Sequence, residues 1–168
     1  FYTYSLGAAT GFRVEHGSNT YTAGINTHQY YVDTFHQDDY RGGFGEWSRL
    51  LDRNNKLTVF AQYFDANHPF ANQLATTLWL GGGSWAHAFE AKGSPGLLSL
   101  TVYGADDHQK NNDPSVGRKF YGGRASVQYD LNERMKLLAG AGIEKSNYNG
   151  FNIFFDNKRG DLRHDYNV

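Results

Sequence analysis

The sequence predicts an all-β fold, an antiparallel sheet whose strands run up and down in chain order. Three observations carry that expectation. Apolar and polar residues alternate with period two along most of the 168 residues, as they do in strands whose two faces meet different surroundings. The alternating stretches last about a dozen residues, whereas strands of soluble domains usually run to about 5–6 and a tilted bilayer-crossing strand needs roughly 9–11. Short, turn-forming connections alternate with longer polar ones, which gathers the short turns at one end of the sheet and the long loops at the other. Together they point to an antiparallel up-and-down transmembrane β-barrel with about eight to nine strands visible, residues 1–168 being a single barrel domain or part of a larger one.

The first segment sets Tyr2, Tyr4, Leu6, Ala8, Phe12 and Val14 against Thr3, Ser5, Gly7, Gly11, Arg13 and Glu15. After HGSN, the second runs from Asn19 to Val32, with Tyr21, Ala23, Ile25 and Tyr31 opposed to Thr20, Thr22, Gly24, Asn26 and His28. The longer DTFHQDD leads to a third segment from about Tyr40 to Leu51, which carries Phe44 and Trp47 on opposite parities. DRNN precedes the fourth, Lys56 to Phe64, which is apolar on both parities around Phe60 and Tyr63. Either bulges shift the parity here or the polar face has some apolar lining.

DANHPFANQ, another long connection, leads into the fifth segment, Leu74 to Phe89, where Trp79 stands beside Leu78 and Leu80. AKGSP then turns into the sixth, Leu97 to Gly104, with Leu98, Leu100 and Val102 against Ser99, Thr101 and Tyr103. The long ADDHQKNNDPSVG precedes the clearest passage, the hairpin from Arg118 to Asn147. One parity of its first arm is Tyr121, Gly123, Ala125, Val127, Tyr129 and Leu131. After DLNER that apolar parity resumes as Met135, Leu137, Ala139, Ala141 and Ile143. A ninth segment starts at Gly160, where Leu162, Tyr166 and Val168 oppose Asp161, Arg163, Asp165 and Asn167.

Composition narrows the class. There are 20 Gly, 12 Tyr and 12 Phe, and nowhere the roughly 18 consecutive apolar residues of a membrane helix. A barrel strand escapes that test because it shows lipid only every second residue. A net charge of -1 without basic clusters excludes a nucleic-acid footprint. The absence of cysteine excludes disulfide scaffolds and thiolate metal sites and suits an oxidising periplasm. The chain opens on Phe1 without a signal peptide, so processing or truncation upstream is expected. Its first strand enters from the long-loop side and its ninth stops at Val168. A portion of a larger barrel is therefore expected, since an open edge in lipid leaves backbone groups unsatisfied.

Tyr2, Tyr4, Tyr30, Tyr31, Tyr40, Tyr63, Tyr103, Tyr121, Tyr148 and Tyr166 collect where strands meet the long-loop end. Tyrosine joins an apolar ring to a polar tip and suits the headgroup level, so these ten are expected to form an aromatic girdle. Arg13, Arg124, Glu144, Asp161, Arg163 and Asp165 share the polar parity. On the barrel reading they face the lumen, because Arg or Lys on the lipid side at mid-bilayer costs roughly 2–4 kcal/mol.

These features resemble those of Gram-negative outer-membrane β-barrels over the whole length. Three passages, GEWSRLLDRNNKLTVFAQYF, LGGGSWAHAF and KRGDLRHDYNV, resemble the C-terminal barrels of tetratricopeptide-repeat outer-membrane proteins, among them the surface lipoprotein assembly modifiers. The resemblance implies an outer-membrane location and a part in moving substrates to the cell surface. The expected function is a pore, translocation or export component without catalysis. Its partners would be the lipid bilayer, lipopolysaccharide and a secreted or surface-exposed protein substrate, with no nucleic acid and no cofactor. Two rivals are a structural anchor or surface adhesin without an open pore, and a soluble all-β barrel with an aromatic ligand cavity.

Catalytic readings fare worse. Gly81-Gly82-Gly83-Ser84 lacks the Lys-Ser or Lys-Thr of a phosphate loop and the strand-turn-helix setting of a nucleophile elbow, so the glycines are expected to be structural. Seven histidines stand at no metal-finger or helical spacing. Asp106, Asp107 and Asp113 lie in one polar connection and offer oxygen ligands for calcium, but without the glycine and glutamate of an EF-hand loop. The ordinary reading of that stretch is a solvated loop.

Overall fold

Alternation becomes strand along nearly the whole chain. The computed structural model describes residues 2–33, 35–69, 75–110, 117–132, 135–152 and 157–167, with side chains as far as residue 148. The strands are β1 (Thr3–His16), β2 (Asn19–Val32), β3 (Phe35–Leu50), β4 (Asn55–Asn67), β5 (Thr76–Ala91), β6 (Ser94–Gln109), β7 (Arg118–Asn132), β8 (Met135–Asn152) and β9 (Asn157–Asn167). They form one antiparallel sheet in chain order, with β1 and β9 as its two edges. Among the described residues the buried apolar side chains are Ala66, Ala75 and Phe120. Among the described residues no second layer packs on the sheet, so most side chains keep one side open.

The tight turns follow from local backbone chemistry. Lys92 and Gly93 both take positive φ, 53° and 78°, the pair of left-handed residues that lets a two-residue turn match the twist of its strands. Between β3 and β4, Asp52 Oδ1 accepts N–H bonds from Asn54 at 2.8 Å and Asn55 at 2.9 Å. Those donors hold the Asp52 carboxyl below the usual carboxylate range.

The strands run longer than the alternation predicts, and this alters two connections. DTFHQDD is not a long loop: β2 ends at Val32 and β3 begins at Phe35. The Tyr31 ring stacks on Tyr4 at 4.7 Å and on His36 at 4.9 Å. Gln29 Nε2 donates to Asp39 Oδ1 at 2.9 Å, and His36 Nε2 meets the same oxygen at 3.1 Å. These contacts carry the hairpin through a register shift between Tyr30 and Tyr31. The same holds for β6, whose strand continues through Ala105, Asp106, Asp107, His108 and Gln109. Long connections remain between β4 and β5 and between β6 and β7, but the short-long alternation fails at β2–β3 and at β8–β9. There the expected long loop YNGFNIFFDNKR is largely strand, β8 running to Asn152 and β9 beginning at Asn157 rather than Gly160.

The mixed parities of β3, β4 and β5 are apolar lining, not bulges. These strands pair without a register shift, which leaves Phe44, Phe60, Phe64, Leu78 and Leu80 on the polar face. Several of the rings there lie across a glycine of the next strand. Gly24 opposes Phe44, Gly42 opposes Phe64, Gly82 opposes Phe60 and Gly122 opposes Tyr103. A Cβ on Gly24 would stand 2.6 Å from Thr10 O and 2.8 Å from the Phe44 ring; one on Gly122 would stand 2.6 Å from Ile143 O and 2.8 Å from Tyr103 Oη. Glycine is thus demanded by close approach, and the run Gly81-Gly82-Gly83 is strand interior in β5.

Gly24→Ala and Gly122→Ala should each destabilise by about 1–3 kcal/mol, the usual cost of overpacking. Gly45→Ala, with open space where its Cβ would stand, should stay within about 0.5 kcal/mol of the parent. Chemical unfolding followed by tryptophan fluorescence would check both.

Candidate functional site

Cross-strand partners share a face, so the register sorts every strand residue onto one of two surfaces. One is apolar. Leu6, Phe12, Ile25, Val59, Leu100, Val102 and Ile143 all stand on it and are all exposed. An uncovered apolar surface of this extent is unusual for a soluble monomer and marks an interaction face.

The ten tyrosines named from sequence do not form one girdle. Tyr2, Tyr4, Tyr31, Tyr63 and Tyr121 lie on the apolar face at the end where β4–β5 and β6–β7 are joined by their longer connections. Tyr4 stacks on Tyr31, and Tyr63 packs against Trp79 at 4.6 Å. Trp79, 61% exposed, completes this belt. Tyr30, Tyr40, Tyr103 and Tyr148 instead share the polar face, opposite Ser5, Ala66, Gly82 and Arg118 respectively. Proximity in sequence to a strand end does not reveal parity, and adjacent residues such as Tyr30 and Tyr31 point opposite ways. Tyr166 falls opposite Ala141, part-way down the sheet, and its side chain lies outside the described residues.

A second aromatic belt escaped the sequence reading. On the same apolar face, at the end of the short turns, stand Tyr21, Trp47, Trp85, Phe89 and Tyr129. Trp47 Nε1 donates to Asn19 Oδ1 at 3.1 Å, and Trp85 Nε1 to Asn55 Oδ1 at 3.2 Å. The hydroxyl of Tyr129 donates to Ala91 O at 2.7 Å, while its ring lies parallel to Phe89 at 6.3 Å across Gly96. Trp47, Trp85 and Tyr129 thus keep the ring on the face and the polar atom bonded at a strand end. Period-two parity alone would have found them, had it been counted back from the short turns.

The six charged candidates do share the opposite face: Arg13 faces Thr22, Arg124 faces Thr101 and Gly142, and Glu144 faces Gly122. The strand register adds Asp161, Arg163 and Asp165 opposite Ser146, Glu144 and Gly142, their side chains lying outside the described residues. Arg13 reaches only its own strand, 2.7 Å from Glu15, with both side chains 65% exposed. Glu144 is the best held. Its Oε2 accepts from Tyr103 OH at 2.9 Å and its Oε1 lies 3.7 Å from Arg118 Nη1, which also donates to Ser146 Oγ at 3.1 Å. The Arg118 guanidinium sits 4.3 Å above the Phe120 ring.

The calcium reading of ADDHQKNNDPSVG fails on geometry. Asp106 and Asp107 are consecutive in β6 and project to opposite faces, Asp106 toward Lys119 at 3.3 Å, so they cannot share an ion. Asp113 lies outside the described residues, among which no three metal-ligating side chains converge. Ser84 faces Thr58 and Thr101, with no histidine beside it in the register.

Towards the end with the longer connections, the polar face holds a cavity of about 930 Å³. Phe64, Ala66 and Leu78 line its middle, with Asn26, His28 and Tyr40 on one side and Thr76 and Asp107 on the other. His68 closes the top, its Nδ1 bonded to Asp38 Oδ1.

Comparison with protein-family models, with curated proteins and with solved structures finds no match. The two faces therefore have to speak for themselves.

Removing one partner from the Arg118–Glu144 contact should leave the other half-buried and poorly satisfied. Arg118→Ala and Glu144→Ala are each expected to cost about 1–3 kcal/mol, and a double-mutant cycle should give a favourable coupling of roughly 0.5 kcal/mol or more.

Proposed function

We propose that this chain is part of the wall of a bacterial outer-membrane β-barrel that acts as a pore, translocation or export component and carries no catalytic centre. One observation carries the reading: the exposed apolar face is bounded at both ends by aromatic residues, and at the short-turn end the polar atoms of Trp47, Trp85 and Tyr129 bond to groups at the strand ends. Belts of this kind flank the apolar band of membrane barrels, which is about 25 Å tall. From Tyr121 to Tyr129 the strand covers about 27 Å, and from Tyr21 to Tyr31 about 34 Å, at roughly 3.4 Å per residue. Strands tilted by about 40° compress those lengths to about 20–26 Å along the membrane normal, the height of the band.

The opposite face supplies charge, hydroxyls and glycine, as a lumen does. Its cargo would be a secreted or surface-exposed protein, the class implied by the resemblance to tetratricopeptide-linked barrels. The apolar rings on that face favour a second reading, an anchor or adhesin whose lumen is filled, because side chains that pack over glycines narrow any passage.

Two measurements decide. In liposomes carrying bromine on their acyl chains, Trp79 on one belt and Trp47 and Trp85 on the other should each be quenched, studied as single-tryptophan variants; indifference of all three to the bromine would remove the membrane reading. The complete protein in planar bilayers should conduct, and a silent bilayer with lipid quenching intact would transfer the assignment to the filled anchor.

A further inference from the structure

We infer that the cavity on the polar face is a binding site for an organic cation with an apolar body. The site is not the lipid-facing surface, and its occupancy would be read whether or not the sheet sits in a membrane.

Its chemistry is one-sided. The middle is hydrocarbon, from Phe64, Ala66 and Leu78, and no lysine or arginine lines it. The lining carboxylate is Asp107, supported by a hydrogen bond from Thr76. Arg118 stands opposite Asp107 in the register, but its guanidinium is turned to Ser146, Glu144 and the Phe120 ring. Asp38 is already engaged by His68.

Beyond hydrocarbon the cavity is lined by the imidazoles of His28 and His68, the hydroxyls of Tyr40 and Thr76, the amide of Asn26 and the carboxylate of Asp107. Asn26 Oδ1 and Asp107 Oδ1 lie on opposite sides of the apolar middle, both buried and both without a hydrogen-bond partner among the described residues. Buried acceptors left unmade cost about 1–3 kcal/mol each, so a ligand that donates to them gains what the empty site forfeits. An ammonium or guanidinium head supplies donors and neutralises Asp107 at once, and an aromatic lining from Tyr40 and Phe64 suits a cation better than an anion. The volume, about 930 Å³, is at the upper end of small-molecule pockets and leaves room for a ring or short alkyl body beside the head.

The test uses three probes of one shape and different charge: 2-naphthylmethylammonium, 2-naphthylmethanol and 2-naphthylacetate, titrated against the full chain in nonionic detergent and followed by naphthalene anisotropy. The ammonium should bind saturably, the alcohol roughly tenfold more weakly or worse, and the acetate not at all. Asp107→Asn, which keeps the shape of the site, should weaken the ammonium by roughly tenfold or more while leaving the alcohol nearly unchanged. Equal binding of all three probes, or equal ammonium affinity in the parent and the variant, would overturn the assignment by reducing the signal to micelle partitioning. Competition settles the matter independently of any variant: hexylammonium must displace the bound probe from the parent protein and hexanoate must not, and the reverse result defeats the proposal.

Discussion

Everything in this structure depends on an unbroken register. Side chains alternate with a period of two, so a slip of one residue anywhere would carry a whole strand's apolar set to the other face. Among the described residues the pairing shifts between Tyr30 and Tyr31, between Asp130 and Asn132 and between Asn147 and Phe151. All three shifts lie near strand ends and leave the middle of the sheet in step. That is why Phe12, Ile25, Val59, Val102 and Ile143, scattered over the chain, belong to one surface, and why Glu144 can meet Tyr103 from two strands away.

The polar face solves a different problem. It carries Phe44, Phe60, Phe64 and Tyr103 alongside charged groups, and a ring needs somewhere to lie. Glycine on the adjacent strand provides a flat place, so the ring covers backbone that would otherwise be bare. The arrangement spends no parity: the sheet keeps a single register while still filling space on its charged side. It also shapes the cavity, since Phe64 lies over Gly42 and forms part of its lining.

Much of this was legible in the sequence. The Arg118–Asn147 hairpin, the β2 limits and the parity of all six charged candidates follow from period-two counting, and so does the structural role of the glycine run. Four things were missed. β3 and β6 extend through His36, Asp38, Asp39, Asp106 and Asp107, residues of low strand preference that are held by cross-strand stacking and hydrogen bonds invisible to local pattern. The girdle was drawn from closeness to strand ends without asking which way each ring points, which wrongly added Tyr30, Tyr40, Tyr103 and Tyr148. The belt of Trp47, Trp85 and Tyr129 lies on the apolar parity and was passed over because aromatics were sought only at the long-loop end. The cavity joins residues from five strands, and nothing in the linear order announces it.

The strand order has a consequence for how the sheet comes into being. Each strand pairs only with its neighbours in the chain, so every contact closes a short loop and none must wait for a distant segment. Such an order allows hairpins to form one at a time, each offering an edge to the next. Growth of this kind resembles a repeat array more than a collapsing globule, with stability summed over nearest neighbours. A sheet assembled so is extensible by nature: the same rules that add β9 to β8 would add another strand to β9, without asking the ones already placed to move.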